Sequence, residues 1–427
     1  MTGSSAANPD VIVVGGGPAG AAAARELAAA AARVQVLDRA RFPRNKPCGG
    51  AISIRALKRF PWLEPALSRI TTTRLSRLYL EAPAGSGITL TSRTPAALLI
   101  RRIEFDALLL TLAQEAGAEI LQGVEITRAH ETDRSVVLRS RDGRTFEAPI
   151  VIAADGVNGA VGRRLRLNAG WPPKAVAIDM MEETPQEQLR SVDPGTLWVA
   201  YGYGGAEGYA YVFPKKTHVN VGLGYVLDYY RTRISSHPWD LQRSFTSELV
   251  KRHVLDGTSS RTHFTPYMIP VGGPLRVTAT RRVMLAGDAG GFVNGITAEG
   301  IYYAMVSGML AARAALAGST AGYERHWQRE IGAELRDAVL VQRYLLATPA
   351  RVDGLIAAAR RAPDLADMAV RYAMGEIGYL SVRRHLLMRS PLLGIRLFIT
   401  ALLQRHFTSD GSSSIGDANP PSPVGAR

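Results

Sequence analysis

The chain has one cysteine, Cys48, among 427 residues. A single thiol excludes an intramolecular disulfide, so nothing in the sequence requires an oxidising compartment. The first residues contain no basic segment followed by an apolar core, which argues against a secretory signal peptide. No apolar run reaches the roughly 18 residues that a membrane-spanning helix needs. We therefore expect a cytoplasmic protein.

Acidic residues are outnumbered, since 51 lysines and arginines face 37 aspartates and glutamates and give a formal net charge of +14. Such a balance suits nucleic acid, an anionic lipid surface or a phosphorylated substrate. Zinc-finger spacing and the aromatic-basic pattern of RNA-binding domains are both missing. We expect no nucleic-acid partner and no metal site. The length favours two or three domains.

The strongest local pattern is a strand, glycine turn, helix and strand in DVIVVGGGPAGAAAARELAAAAARVQVLD. Gly15, Gly17 and Gly20 have the G-x-G-x-x-G spacing, which permits a tight turn, a close approach to pyrophosphate and close packing of helix on strand. The pyrophosphate would lie on the amides of the helix that begins near Pro18. Asp38 ends the second strand, where an acid accepts hydrogen bonds from a ribose. This unit predicts a dinucleotide site.

Two later acids follow apolar strands, Asp155 in IVIAADG and Asp288 in VMLAGDAGG. In open α/β sheets this position is typical of a ligand contact. A dinucleotide that threads back through the fold explains a second glycine-acid turn far along the chain, and this favours a flavin over nicotinamide. The helix that begins near Gly300 would direct its amides to the pyrimidine end of the flavin. For either acid alone, a turn or helix-cap role stays open.

The chain resembles the geranylgeranyl reductase family, within the flavoprotein hydroxylase-like folds, over about residues 9–316. The resemblance rests on GGGPAG, KPCGGAIS, RRIEFDALL, AADGVNGAVGRRL, GYAYVFPKKTHVNVGLG and GDAGGFVNGITAEGIYYAM. It implies reduction of isolated double bonds in polyprenyl chains, with electrons from NAD(P)H or a small carrier. It also implies FAD contacts at Gly15, Gly17, Pro18, Ala19, Gly20, Asp38, Cys48, Gly49, Arg102, Val124, Asp155, Gly156, Gly287, Asp288, Gly300 and Ile301.

The resemblance places the segment around Cys48 beside the flavin ring, on the substrate side. Gly49 and Gly50 let backbone pass close to a flat ring. Cys48 is the candidate catalytic residue, as a proton donor for alkene reduction, with a packing role as the alternative. Lys46 has two interpretations, contact with an anionic head group or simple solvation, and we expect the second; we expect Glu299 to be an acid that favours a helix N-terminus rather than a catalytic base.

Residues 172–270 contain short alternating runs rich in aromatics and glycine, which predict antiparallel strands. By the resemblance this sheet roofs the flavin and binds substrate through Gly50, Tyr209, Tyr211, Phe213 and Pro214. The family's substrate motif begins with proline and contains tryptophan, whereas Ala206 and Tyr211 stand at those positions here. The loop NGITAEGI, before the helix that begins near Gly300, also departs from the family form, with Gly295 in place of proline and Ala298 in place of glycine. A purely structural role for the aromatic strand stays open.

The final third reads as helices, and SPLLGIRLFITALLQRHF predicts a basic amphipathic helix capped by Ser390 and Pro391. Its apolar face would lie on an anionic membrane or pack on protein, and both remain open. The fold class is α/β, with a Rossmann-type FAD-binding domain, an antiparallel-sheet substrate domain and a C-terminal helical region. The expected segments are 1–170 (FAD-binding, with substrate-side elements around 48–100), 171–275 (substrate sheet), 276–318 (FAD-binding return), 319–407 (helical, with 383–407 as the membrane candidate) and 408–427 (disordered tail).

We therefore expect an FAD-dependent reductase acting on an isoprenoid or similar lipid-like molecule. A flavin-dependent monooxygenase or halogenase acting on a secondary metabolite is the alternative, because those enzymes share the fold and its glycine-acid turns. The sequence leaves open the individual substrate, the electron donor and the oligomeric state. It also leaves open a peripheral membrane location.

Overall fold

The computed structural model describes residues 8–205 and 207–389. The chain forms two compact units, Met1–Val382 and Arg383–Arg427, and only residues 383–389 of the second are described. The predictions about Ala206, about the helix that begins at Ser390 and about the tail from residue 408 lie outside the described residues. Among those that are described, no helix is both long and apolar enough to cross a bilayer.

The strands alternate with helices in the first part of the chain and follow one another in the middle. In chain order they are β1 (Val11–Val14), β2 (Val34–Asp38), β3 (Ala51–Ser53), β4 (Thr72–Leu75), β5 (Arg77–Glu81), β6 (Gly87–Thr91), β7 (Ala97–Ile100), β8 (Glu119–Gln122), β9 (Ile126–Glu131), β10 (Val136–Ser140), β11 (Thr145–Ala148), β12 (Ile150–Ala153), β13 (Ala177–Pro185), β14 (Leu189–Ser191), β15 (Thr196–Tyr201), β16 (Gly208–Pro214), β17 (His218–Val226), β18 (Leu255–Gly257), β19 (Phe264–Ile269) and β20 (Val283–Leu285).

The helices cover the parallel sheet and make up the end of the described chain. They are α1 (Pro18–Ala29), α2 (Arg55–Arg59), α3 (Leu63–Ala66), α4 (Arg102–Glu115), α5 (Ala160–Arg164), α6 (Leu227–Arg233), α7 (Pro238–Lys251), α8 (Ile301–Leu316), α9 (Tyr323–Trp327), α10 (Ala333–Leu345), α11 (Pro349–Arg361), α12 (Pro363–Ala373) and α13 (Tyr379–Arg389). Short 3₁₀ turns lie at Leu67–Arg69, Pro173–Ala175, Arg261–His263 and Gly287–Gly290, and a π turn lies at Gln328–Gly332.

A five-stranded parallel sheet with the order β20-β12-β1-β2-β8 forms the first layer system. Every residue of β1 is buried, as expected of a strand covered on both faces. Val11 and Val13 pack with α1 and α8 on one face. Ile12 and Val14 pack on the other face against the antiparallel sheet β11-β10-β9. The side chains of β1 therefore alternate between two hydrophobic cores. This fixes the position of the strand and of the glycine turn at its carboxyl end.

A seven-stranded sheet with the order β19-β13-β17-β16-β15-β5-β6 forms the second system. Its strands come from residues 177–269 and also from 77–91, and β15 pairs with β5 in parallel, so the sheet is mixed rather than purely antiparallel. Helix α7, which the strand pattern did not predict, packs on the outer face through Phe245 and Leu249. The opposite, inner face carries Tyr211 and Phe213. These layers confirm the predicted α/β class with its second sheet and C-terminal helices.

Candidate active site

The glycine turn between β1 and α1 is held at backbone contact. Gly15 has a φ of +102°, and a Cβ on Gly20 would stand 1.8 Å from the Gly15 carbonyl oxygen. A Cβ on Gly17 would meet nothing closer than the Arg44 guanidinium, at 3.6 Å. No side chain caps α1 at Gly17. The first amides of α1 therefore face an open position flanked by a cation, which suits a pyrophosphate.

Asp38 and Val124 meet at the carboxyl end of β2. The Asp38 side chain is buried and accepts hydrogen bonds from the amides of Gly16 (2.6 Å) and Ala40 (2.7 Å). The Val124 amide donates to the Asp38 carbonyl oxygen at 2.8 Å. Asp38 is thus oriented by the turn, and each carboxylate oxygen keeps a lone pair for a further donor.

The return segment lies against the first turn of α1 through Gly287, and Asp288 lies next to Gly300, with its Oδ1 atom 3.6 Å from the Cβ position of that glycine. A Cβ on Gly287 would lie 2.9 Å from the Ala19 side chain, and the Gly287 amide donates to Ser307 at 2.9 Å. Helix α8 begins at Ile301 with Gly300 as an N-cap that has no side-chain hydrogen bond. The residues predicted from both ends of the dinucleotide pattern are therefore brought together.

Asp155 behaves differently from the other predicted acids. Its backbone touches Gly15, but its carboxylate turns back and accepts a hydrogen bond from the Val161 amide of α5 at 3.0 Å. Burial raises the pKa of Asp155, and its Oδ1 atom has no hydrogen-bond partner. Gly156 follows at a φ of +80°, with open space at the position of a Cβ. The Asp155 side chain therefore caps the N-terminal end of α5, which is the alternative role that the sequence left open.

A cluster of cations lies between the glycine turn and Cys48. Arg102 forms two hydrogen bonds to Asp106, at 2.6 and 2.7 Å, and Arg44 pairs with the same carboxylate at 2.8 Å. Burial alone would raise the pKa of Asp106, but the charges of Arg102, Arg44 and Lys46 hold it below its ordinary value. Burial likewise opposes the charge of Arg102, whereas Asp106 and Cys48 raise the pKa of this guanidinium. Arg102 therefore lies against Cys48.

The expectation that Lys46 is solvated is wrong. Its Nζ lies 3.4 Å from Asp288 Oδ2 and 4.7 Å from the centre of the Tyr267 ring. The two partners come from the return segment and from β19, far along the chain, so local sequence could not indicate them. Lys46 ties the cysteine segment to both layer systems.

The segment with Cys48 runs directly under the inner face of the seven-stranded sheet. A Cβ on Gly49 would stand 2.7 Å from the Phe213 ring, and one on Gly50 would stand 2.2 Å from the Ile100 carbonyl oxygen. Asn220 donates from Nδ2 to the Cys48 carbonyl oxygen at 3.3 Å, and the Gly50 amide donates to Cys48 Sγ at 3.4 Å. The glycines are required here because aromatic rings and backbone occupy the space of a side chain.

Tyr209, Tyr211 and Phe213 alternate along β16 and line the inner face. Their rings follow one another with centroids 5.8 and 4.5 Å apart. Pro214 is the next residue and pairs with Val219, which belongs to the core on the outer face. The structure therefore brings three of the predicted substrate residues together and separates Pro214 from them.

Asp179 is a site residue that the sequence analysis missed. It lies on β13, is 6% exposed and accepts a hydrogen bond from the Tyr211 hydroxyl at 3.2 Å. Burial raises the pKa of Asp179 to about 7, although the Tyr211 hydrogen bond opposes this shift. Burial also raises the pKa of Tyr211 well above its ordinary value, with a further contribution from the charge of Asp179. An acid within the otherwise apolar run AVAIDMM was the signal available in the sequence.

Arg55 organises a second cluster that was not predicted. Its guanidinium pairs with Glu299 (3.2 Å) and Glu334 (3.1 Å), and it donates to Tyr303 (2.7 Å) and Tyr372. Burial opposes its charge, but Glu299, Tyr303 and Glu334 raise the pKa of Arg55. Glu299 therefore belongs to this cluster rather than acting only as an N-terminal acid of α8.

The described residues fit FAD on three observations. The Gly17 position is open and faces Arg44. Helices α1 and α8 both begin without a side-chain cap. Asp38 lies next to the glycine turn before α1, and Asp288 lies next to Gly300 before α8. The cations Arg44, Arg102 and Lys46 outnumber the acids Asp106 and Asp288 that pair with them, so an anionic group is accommodated.

Comparison with known proteins gives a consistent relationship. A family model described as FAD binding domain matches residues 8–317. The chain is 30% identical over 314 residues to digeranylgeranylglycerophospholipid reductase 2 of Methanothermobacter thermautotrophicus, covering 70% of this chain and 77% of that protein. It is 30% identical over 307 residues to the chloroplastic geranylgeranyl diphosphate reductase of Oryza sativa subsp. japonica, covering 67% of this chain and 62% of that protein. A geranylgeranyl bacteriochlorophyll reductase-like structure from Thermoplasma acidophilum shares the fold, with a TM-score of 0.72, 21% identity and coverage of 89% of this chain and 98% of that one.

Proposed function

The chain belongs to the geranylgeranyl reductase family of FAD-dependent oxidoreductases, and on that premise we propose that it saturates carbon–carbon double bonds of a polyprenyl chain of the geranylgeranyl type. The observation that carries the proposal is the inner face of the seven-stranded sheet. There Tyr211 and Phe213 form one buried apolar cluster with Leu197, Val199 and Met181, directly over the turn that contains Cys48. A polyprenyl chain has no hydrogen-bonding groups, so a wall of apolar side chains suits it.

Bound FAD supplies hydride transfer to the substrate. The residues of the chain have separate roles in this proposal. Gly15, Gly17 and Gly20 hold the pyrophosphate on α1, and Asp38 accepts from the ribose. Arg44 balances the phosphate charge. The turn at Gly49 brings backbone close to the flavin ring.

The aromatic side chains of β16 have a role different from that of the cations near the glycine turn, because they shield the site from water. Phe213 and Tyr211 exclude water above Gly49, because their rings occupy the space next to its Cα. Cys48 lies on the turn itself, and the sequence leaves two roles open for it, that of a proton donor and that of a residue that shapes the turn. The relatives named above act, by their names, on a geranylgeranyl diphosphate and on a digeranylgeranyl phospholipid, and we extend the geranylgeranyl chain but not the head group to this protein.

The electron source in this proposal is NAD(P)H or a small electron carrier that meets the flavin transiently. Contact of residues 383–407 with an anionic membrane surface is also part of the proposal, since it would deliver a lipid substrate; residues 390–407 lie outside the described part. Peripheral association is testable by flotation of the full-length protein with anionic and with neutral vesicles.

The test of the proposed function uses purified protein with its flavin reduced chemically in the absence of oxygen. Geranylgeranyl diphosphate and a digeranylgeranyl phospholipid are offered separately, and product masses are read with and without air. A gain of hydrogen pairs without oxygen supports the reductase. A gain of an oxygen atom that requires air would instead place the chain among the flavin monooxygenases, and no product from either lipid would contradict the polyprenyl substrate.

A further inference from the structure

Asp179 lies in a row of side chains that crosses the inner face of the seven-stranded sheet. Tyr267 of β19, Asp179 of β13, Gly224 of β17 and Tyr209 of β16 are successive cross-strand partners. Directly opposed residues point to the same face of a sheet. Asp179 therefore shares the inner face with the aromatic residues of β16, and the missing side chain at Gly224 leaves space beside it.

Tyr211 links this carboxyl group to the turn with Cys48. Its hydroxyl donates to Asp179 Oδ2 at 3.2 Å, and its ring lies over Gly222, where a Cβ would stand 2.1 Å from the ring. The edge of the same ring is 3.2 Å from the Cβ position of Gly49. Asp179 is thus one side chain away from the backbone that approaches the flavin.

The surroundings of Asp179 favour its neutral form. Within residues 8–205 and 207–389, no lysine, arginine or histidine forms an ion pair with it. The ionisable groups that face it are Tyr209 and Tyr211 of β16 and Tyr267 of β19. Beyond them, Lys46 packs on Tyr267 but is paired with Asp288. Burial raises the pKa of Tyr209 and Tyr211, and Cys48 contributes to the same shift.

We propose that Asp179 is the proton donor for alkene reduction, an assignment that rests on the proposed function. One alkene carbon forms a C–H bond with hydride, and the other forms a C–H bond with the proton of the Asp179 carboxyl group. The π bond is lost, and the two electrons come from the reduced flavin, which is left oxidised. The Asp179 carboxylate then regains one proton from water, while Tyr211 holds it in position.

Cys48 is the competing donor, and its contacts differ from those of Asp179. The Cys48 sulfur accepts a hydrogen bond from the Gly50 amide and lies against Arg102, so the groups around it are hydrogen-bond donors. A carboxyl group that is protonated near neutral pH has a proton to give at working pH. We assign to Cys48 the shape of the turn and to Asp179 the proton.

The test compares Asp179→Asn, Tyr211→Phe, Cys48→Ala and, as a matched carboxylate control, Asp256→Asn, whose carboxylate lies on the exposed strand β18. Each flavin-loaded protein is reduced without oxygen and mixed with the lipid that the wild-type protein reduces. Flavin reoxidation by the lipid is followed between about pH 5.5 and 8.5. A general acid contributes about 100-fold or more, so Asp179→Asn should slow this step by that factor while Asp256→Asn leaves it unchanged.

The pH dependence separates a donor from a structural bond. The wild-type rate should fall as pH rises through about 7, because the donor must be protonated. Tyr211→Phe removes a hydrogen bond that favours the ionised carboxylate, so the falling limb should move to higher pH. Cys48→Ala should keep the limb where it is. Loss of the limb in Cys48→Ala, or its retention in Asp179→Asn, overturns the assignment.

A second readout needs no turnover. Infrared spectra of the oxidised, substrate-free holoprotein should show the carbonyl band of the protonated Asp179 carboxyl group. In the wild-type protein this band should be present below about pH 7 and disappear above it. In Asp179→Asn it should be missing at every pH. An identical wild-type and Asp179→Asn spectrum overturns the proposal. If the wild-type protein reduces no polyprenyl lipid, the proposed function fails. If it does so and Asp179→Asn is equally fast, only the role of Asp179 fails.

Discussion

Gly308 of α8 rests on Ala19 of α1 at backbone contact, since a Cβ on Gly308 would stand 2.1 Å from the Ala19 carbonyl oxygen. Ala19 belongs to the first turn of α1, the helix proposed to receive the pyrophosphate, and α8 begins at the end of the site proposed for the flavin ring. The spacing of the two helices therefore sets the distance between the two ends of the cofactor site.

Gly308→Ala should force α1 and α8 apart. We expect a loss of about 1–3 kcal/mol in the free energy of unfolding, together with weaker FAD binding. Gly354→Ala is the control, because Gly354 lies in α11 with no atom near its Cβ position, and the same substitution there should stabilise by about 0.5–1 kcal/mol. Urea unfolding and the flavin content after dialysis measure both effects. Equal behaviour of the two variants would refute the contact.

Gly17→Ala separates cofactor binding from folding. The added methyl group would have no protein atom closer than 3.6 Å, so the chain should fold, but the group would face the position proposed for the pyrophosphate. We expect FAD affinity to fall by roughly tenfold or more, about 1.4 kcal/mol, with circular dichroism unchanged. Gly20→Ala, which would meet the Gly15 carbonyl oxygen, should instead lose the folded protein. Full flavin retention in Gly17→Ala would contradict the cofactor position.

The charge state of Asp179 should be visible in stability as well as in rate. Its pKa is raised from an ordinary 3.8 to about 7 in the folded protein. The group therefore contributes stability that is fully present below about pH 4 and is lost as pH rises through about 7. Relative to Asp179→Asn, the wild-type protein should lose on the order of 4 kcal/mol between these limits. Urea unfolding of both proteins at about pH 5 and about pH 8, a window that contains roughly 3 kcal/mol of this loss, tests this; a constant difference between the two proteins would show that Asp179 is already ionised at about pH 5.

Ala298 should respond to glycine with a gain in stability. It has a φ of +54°, in the left-handed region that costs an L-residue about 1–2 kcal/mol. Ala298→Gly should therefore stabilise by up to about 1 kcal/mol, after the greater flexibility of glycine in the unfolded chain is subtracted. The opposite sign is expected for Ala358→Gly on the exposed side of α11, where glycine costs about 0.5–1 kcal/mol. Chemical unfolding midpoints compare the two, and a loss in both would exclude strain at Ala298.

The features that sequence predicted are those with local causes. The glycine turn, the start of α1, the position of Asp38 and the start of α8 each follow from residues within one strand and one helix. Spacing alone indicates them, because the backbone conformation and the apolar pattern that produce them are contained in about twenty residues. The fold class followed from the same local units.

The features that were missed depend on partners distant in sequence. Asp179 meets Tyr211 over 32 residues, and Arg55 meets Tyr372 over 317. Helix α7 interrupts a run of strands, and the hairpin of β5 and β6 joins a sheet whose other strands begin only at Ala177. No local pattern reports which side chain will lie opposite a buried charge. Lys46 was misjudged for the same reason, since its neighbours are supplied by the return segment.

The cluster around Arg55 has a consequence for where this enzyme can be cut. The match to the FAD binding domain family model ends at residue 317, yet Glu334 and Tyr372, which pair with the Arg55 guanidinium, come afterwards. A fragment ending at the boundary of the match would keep every residue of the glycine turn and still leave the buried Arg55 guanidinium without Glu334 and Tyr372, the partners of its Nη1 atom, a change that costs several kcal/mol in other proteins. The helices between residue 317 and Val382 are therefore part of the same folding unit as the glycine turn, and shortened versions of this protein have to extend past Tyr372.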